Sequence, residues 1–145
     1  MTRINLIPPD ELTDQHLFAE WREIKMVPKS LARSIRARGV DGVLRMVPRE
    51  FTLNTGHVSF FYDKGTYLFQ RYQALTEELV RRCVNFNRGA ELDPDDVYLR
   101  HPQLLGLYTP TEQALQIIRQ RIAEKIAMKP QWYRYKGQPL TTENK

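Results

Sequence analysis

The sequence predicts an all-α fold, a single compact domain of three main helices with long irregular connections. Two observations carry that expectation. Three stretches repeat apolar residues at helical spacing, and no alternating apolar–polar run of comparable length competes with them. The chain has 145 residues, enough for one ordinary domain and too few for two, so residues 1–145 are expected to form one unit.

In the first helical stretch, Leu17, Trp21, Ile24, Leu31 and Ile35 form one apolar stripe. Thr13 or Asp14 supplies its cap, because a short oxygen-bearing side chain accepts from the orphan amides of the first turn. Pro28 removes a backbone donor and crowds the preceding turn, so a kink or a split is expected near Met26 and Val27, and Gly39 is expected to end the helix. The second stretch begins near Lys64 and places Leu68, Tyr72, Leu75, Leu79 and Cys83 on one face, with Arg71, Arg81 and Arg82 off it. The third opens with Thr109-Pro110-Thr111-Glu112, which reads as a capping box between Thr109 and Glu112 with proline at the first helical position. Leu115, Ile118, Ile122 and Ile126 make its stripe, and Lys129-Pro130 closes it. The connections, roughly 40–62 and 86–108, carry little periodicity. The aromatic residues of the first one, Phe51, Phe60, Phe61 and Tyr62, are expected to pack. The polar tail, about 138–145, is expected to fray.

Composition narrows the function classes. Hydrophobic residues at 41% and charged residues at 27% fit a packed globule and not a disordered chain. No apolar run approaches the roughly 18 residues of a membrane span, and the start Met1–Leu12 turns acidic too early for a secretory leader. One cysteine, Cys83, rules out an intramolecular disulfide and a cysteine-rich zinc finger, which fits an intracellular location. Lysine plus arginine number 22 against 17 aspartate plus glutamate, for a net charge of +5. That balance favours an anionic partner, with nucleic acid first.

Four groups of residues are chemically suggestive. Removal of Met1 before the small Thr2 exposes an α-amine whose reference pKa of about 7.7–8.0 leaves part of it neutral and nucleophilic, and Arg3 lowers it further. An ordinary frayed terminus is the alternative. His16, Glu20 and Glu23 span an arc of roughly 60° beside the apolar stripe. They read as a solvated edge, as a sparse metal site, or as a carboxylate poised for acid–base or cation-stabilising work near Arg22. Trp132-Tyr133-Arg134-Tyr135-Lys136 interleaves rings and cations as nucleic-acid surfaces do, core aromatics being the alternative. Two basic rows, Arg119, Arg121, Lys125 and Lys129 and then Lys29, Arg33, Arg36 and Arg38, add to a phosphate-binding surface.

Taken together, Met1-Thr2-Arg3-Ile4-Asn5-Leu6, Asp14-Gln15-His16-Leu17, Ala19-Glu20-Trp21-Arg22-Glu23, Gly56-His57-Val58-Ser59-Phe60-Phe61-Tyr62-Asp63-Lys64, Glu124-Lys125-Ile126 and Trp132-Tyr133-Arg134-Tyr135 resemble the pyrimidine-dimer DNA glycosylase and abasic-site lyase family. The likeness runs in order over roughly residues 2–137. It implies a DNA repair enzyme that excises the 5′ base of a cyclobutane pyrimidine dimer and then nicks the abasic site by β-elimination. By that resemblance Thr2 supplies the α-amine that forms an imine with the sugar, and the Glu23 carboxylate stabilises the cationic sugar and moves protons. Arg3, His16, Arg22, Arg121, Lys125, Trp132, Tyr133 and Arg134 are the expected DNA contacts, and the amino-terminal segment is expected to thread between the first and third helices. The expected partner is double-stranded DNA containing pyrimidine dimers, with no cofactor, no metal, no membrane and no obligate protein partner. The chain departs from the family's phage member at Met26, where arginine stands there, and at Lys136, where tyrosine does. Two other readings remain: a non-catalytic DNA-binding module, and a metal-dependent nuclease using His16, Glu20 and Glu23.

Overall fold

Thr13 opens the first helix of the computed structural model, which describes residues 3–140. Its hydroxyl oxygen accepts the His16 N–H at 3.1 Å, capping α1 (Asp14–Glu23) as anticipated. Leu17 and Trp21 turn inward. The chain breaks at Ile24-Lys25 and resumes as α2 (Met26–Met46), so the split falls beside Pro28. Proline then occupies the first turn of α2, where its missing N–H deprives the helix of no bond. Gly39 redirects α2 without ending it. Its φ of 72° and ψ of 167° suit a residue without a Cβ, and helical backbone continues to Met46 because Val43 is fully buried beyond the kink. Residues 40–46 are therefore helical, not irregular.

The connection that follows carries one short helix, α3 (His57–Phe60), and its rings pack as expected: Phe51 meets Phe60 and Phe61 edge-on at 5.9 and 6.2 Å. Next comes α4 (Gly65–Arg81), whose Leu68, Leu75 and Leu79 are fully buried and whose Tyr72 is half-buried. Cys83 does not continue this stripe. It lies past the helix end, exposed, at a φ of 60°. Arg71 and Arg82, off the stripe as expected, nevertheless have buried side chains, because α4 is covered on a second flank by α1 and by the segment around Ile7–Asp10. Arg82 reaches Glu78 at 2.8 Å and Asp14 at 2.9 Å. The first turn of α4 lacks a side-chain cap. The Tyr67 N–H instead donates to the Gly106 carbonyl, and the Gly106 N–H donates to the Asp63 carbonyl at 3.1 Å. A Cβ on Gly106 would stand 2.3 Å from that carbonyl oxygen, so only glycine allows the approach.

In the second long connection, α5 (Val97–Arg100) is initiated by Asp93, whose carboxylate accepts the Val97 and Tyr98 amides at 3.1 and 2.9 Å. The last helix, α6 (Glu112–Met128), is capped by Thr111 and not by Thr109. The Thr111 hydroxyl accepts the Ala114 N–H at 3.0 Å. Pro110 thus precedes the helix, because the extended backbone that a cap requires falls at Thr111, with φ −78° and ψ 160°. Ala114, Ile118 and Ile122 are buried, Leu115 and Ile126 partly so, and Lys129 ends the helix. Two short antiparallel strands, β1 (Arg134–Tyr135) and β2 (Gln138–Pro139), form a hairpin, the second of them at the start of the segment expected to fray. Residues 141–145 of that tail lie outside the described residues.

One apolar cluster runs from Ile4 to Ile122 and draws on every helix. The protein is an all-α, single compact domain, and among the described residues no helix is long and apolar enough to cross a membrane.

Candidate active site

The amino-terminal segment is anchored by apolar side chains. Ile4 is fully buried, and Leu6, Ile7 and Leu12 are nearly so. A tight turn at Leu6, with a φ of 58° and the Ile7 N–H bonded to the Asn5 carbonyl, swings the chain toward α1. Beside it opens a cleft of about 440 Å³, walled by α1 through His16, Ala19, Glu20 and Glu23, by α6 through Arg121 and Lys125, and by Trp132 and Tyr133. Arg3 and Asn5 line it from the segment itself, which therefore lies along the gap between α1 and α6.

Glu20 and Glu23 stand one turn apart and do different things. Both Glu20 oxygens accept from Arg71, at 2.7 Å from Nε and 2.9 Å from Nη2, and Arg71 gives a third bond to the Ile7 carbonyl at 2.6 Å. The pair is buried, and its role is to lock α1, α4 and the amino-terminal segment together. Glu20 is thereby withdrawn from the set His16, Glu20 and Glu23. Among the described residues no three His, Cys, Asp or Glu side chains converge as ligands for a metal ion. Glu23 faces the cleft with Arg3, Arg121 and Lys125 around it.

Electrostatics in the cleft are set by this cationic rim. Burial, then Arg121 and Lys125, pull the His16 pKa down to about 4, so the ring is neutral at pH 7. Thr13 Oγ1, which accepts the His16 N–H, also lies 2.7 Å from His16 Nδ1, so one hydroxyl holds both the backbone and the ring of His16. Burial, with Arg121 adding repulsion, lowers the Arg3 pKa, while Glu23 opposes that shift. Arg3, Arg121 and Glu23 thus share one local field, and an amine entering it would meet the same two cations.

The far wall is built by the carboxyl end. Gln15 donates to the Trp132 carbonyl at 2.7 Å and accepts the Arg134 N–H at 2.9 Å. Asp14 accepts the Lys136 and Gly137 amides at 2.9 and 2.8 Å, and Tyr135 donates its hydroxyl to the Asp10 carbonyl at 2.6 Å. So held, Tyr133 stacks on His16 with centroids 4.8 Å apart and planes within 5° of parallel. Trp132 meets Tyr133 edge-on at 4.9 Å and remains 56% exposed, leaving its ring accessible for stacking.

Of the residues singled out in the sequence, Arg3, His16, Glu23, Arg121, Lys125, Trp132 and Tyr133 share this cleft. Arg22 lies outside its lining, with its guanidinium 5.2 Å above the Phe18 ring, and Arg134 lies outside it on β1. Arg119 is tied to Glu11 at 3.0 Å on the exposed surface. Thr2 falls outside the described residues. Asn5, Gln15 and His57 were not anticipated. Asn5 is buried with an Oδ1 that has no hydrogen-bond partner among the described residues, and a polar residue inside an apolar run, Ile4-Asn5-Leu6-Ile7, was its only sequence signal.

The sequence profile of the pyrimidine dimer DNA glycosylase family matches residues 1–92. That is more than half of the 145 residues. The chain belongs to the pyrimidine dimer DNA glycosylase family. The glycosylase match contains the amino-terminal segment, α1 and His57, whereas Arg121, Lys125, Trp132 and Tyr133 come to the cleft from beyond it.

Proposed function

We propose that this glycosylase excises the 5′ base of a cyclobutane pyrimidine dimer in double-stranded DNA and nicks the strand at the same site. The Thr2 α-amine, neutral after losing a proton, attacks the sugar C1′. The C1′–N bond breaks and its electron pair leaves with the base, which takes up the proton shed by the attacking amine and stays tethered through the dimer to its 3′ neighbour. The sugar ring opens as O4′ takes a proton, giving a C1′=N iminium. Loss of a C2′ proton then expels the 3′ phosphate, and water releases the unsaturated aldehyde and restores the amine. Glu23 stabilises the cationic sugar and carries the C2′ and O4′ protons. Each step balances with water alone, and no metal or cofactor is assigned a role.

The observation that carries this reading is the placement of Glu23 across a cation-rimmed cleft from Arg3, the residue that follows Thr2 in the chain. An α-amine near Arg3 and Arg121 loses its proton more readily, because like charges disfavour the ammonium form. Arg121, Lys125, Trp132, Tyr133, His16 and Arg3 supply phosphate contacts and stacking surfaces, with Arg22 and Arg134 extending the contact beyond the cleft. On this reading the catalytic unit is the whole of residues 1–145.

The deciding experiment incubates protein lacking Met1 with dimer-containing duplex in EDTA and adds borohydride. A covalent complex through Thr2 and incision of the duplex are expected. Trapping that survives acetylation of the terminal amine would reassign the nucleophile. Binding without trapping or incision would leave a DNA-binding module, and incision that stops in EDTA would favour a metal-dependent nuclease.

A further inference from the structure

His57 lies outside the lining of the cleft and meets the amino-terminal segment at the Ile4 amide. Its ring is buried, and Phe51 and Phe61 meet it edge-on at 5.3 and 5.5 Å. Nδ1 lies 2.8 Å from the Thr52 carbonyl, which can only accept, so the ring proton is on Nδ1. The one remaining lone pair, on Nε2, accepts the Ile4 N–H at 2.9 Å.

From this geometry we infer that His57 is a positioning residue for the reactive chain start, its Nε2 fixing the Ile4 amide and so the direction in which the preceding residues enter the cleft. The inference rests on the Thr2 reading above. The buried Ile4 side chain sets how deep the segment lies, but an apolar contact leaves the peptide free to rotate about the chain axis. A single directional hydrogen bond removes that rotation. Ile4 has no paired strand to take its N–H, since the one named sheet among the described residues is the β1–β2 hairpin. Only two residues separate the fixed amide from the expected nucleophile, a tether of at most about 7 Å. The tautomer is held by every group around the ring: Thr52 takes the Nδ1 proton, Ile4 offers a donor, and the nearby Arg3 and Arg121 charges together with burial oppose a second proton.

The test uses the full chain with Met1 removed and compares wild type, His57→Leu and His57→Gln. It reads circular dichroism, affinity for abasic-site duplex, and the single-turnover rate of borohydride trapping. His57→Leu should slow trapping by about tenfold to a hundredfold while duplex affinity stays within about twofold, because misplacing a reacting group costs rate and not binding. His57→Gln, whose Oε1 can accept from Ile4, should recover most of the rate. Unchanged trapping in His57→Leu, or a glutamine variant as slow as the leucine one, overturns the inference. Should His57→Leu not fold, nitrogen-15 spectra of wild type decide. A protonated Nδ1, a bare Nε2 and a slowly exchanging Ile4 amide support the clamp, and a fast-exchanging Ile4 amide overturns it. Wild type that is never trapped through its amine refutes the Thr2 reading, whereas trapped wild type with an equally fast leucine variant refutes the His57 role alone.

Discussion

Glu20 and Arg71 meet in a two-pronged ion pair, at 2.7 and 2.9 Å, directly behind the cleft onto which Glu23 opens. Removing one partner leaves an unpaired charge among apolar groups. Arg71→Met alone, or Glu20→Leu alone, is expected to cost about 3–5 kcal/mol in urea unfolding. The double variant should regain most of that loss, because the remaining cost was the orphaned charge. A double variant no more stable than either single one would show that the pair contributes through something other than mutual neutralisation.

Glu23→Gln keeps the shape of the side chain and removes its charge. Incision of dimer duplex should fall by about a hundredfold or more, with thermal stability and duplex affinity nearly unchanged, because the lost interaction belongs to the transition state. Single-turnover incision beside a binding titration measures this. Equal loss in both would mean that Glu23 binds or folds and does not assist the chemistry.

Stability should depend on pH through His57. Burial draws its pKa from 6.5 down to about 4, so the unfolded chain takes up a proton before the native one does. The stabilisation is therefore full above pH 6.5, is lost as pH falls toward 4, and changes no further below that. The limiting loss from this group is about 3 kcal/mol. His16 adds in the same direction but less, being more open to solvent. Urea unfolding of wild type and His57→Gln between these limits checks the sign. Parallel stability curves for the two proteins would refute it.

Arg121 and Lys125 project from α6 into the cleft, and each is expected to neutralise one phosphate. Replacing either with glutamine should weaken duplex binding and lower the slope of log affinity against log salt by about 0.9. Arg119, already held by Glu11, serves as the control and should leave the slope nearly unchanged. A slope that does not move for Arg121 or Lys125 would take that residue off the phosphate path.

Local chemistry made much of this fold readable. The Thr13 cap, the break beside Pro28 and the buried leucines of α4 each depend on residues a few positions apart. Misreadings arose where two local signals tied or where the deciding neighbour was distant. Thr109 and Thr111 are both plausible caps, and only the backbone at Thr111 selects between them. Gly39 looks like a stop until Val43 is seen to be buried beyond it. Arg71 stands off the stripe, and nothing near it shows that it is buried, because its partner Glu20 is 51 residues away in sequence. The cleft follows the same rule. Of the residues that the resemblance carried, Glu23, His16, Arg3, Arg121, Lys125, Trp132 and Tyr133 come to one place, Arg22 and Arg134 stand outside it, and Thr2 lies outside the described residues. Asn5 and His57 escaped because nothing in their immediate sequence distinguishes a lining residue or a clamp from an ordinary core polar group.

The clasp of Asp14 and Gln15 on residues 132–137 also bears on synthesis. These contacts join the first helix to a segment synthesised much later, Gln15 and Trp132 being 117 residues apart. A nascent polypeptide still lacking that portion has its first helix complete but no Trp132 and Tyr133 to close the cleft. The wall against which a damaged strand would be held thus comes into being only once residues 132–137 have been made, so a product truncated before them would be left with half a vice.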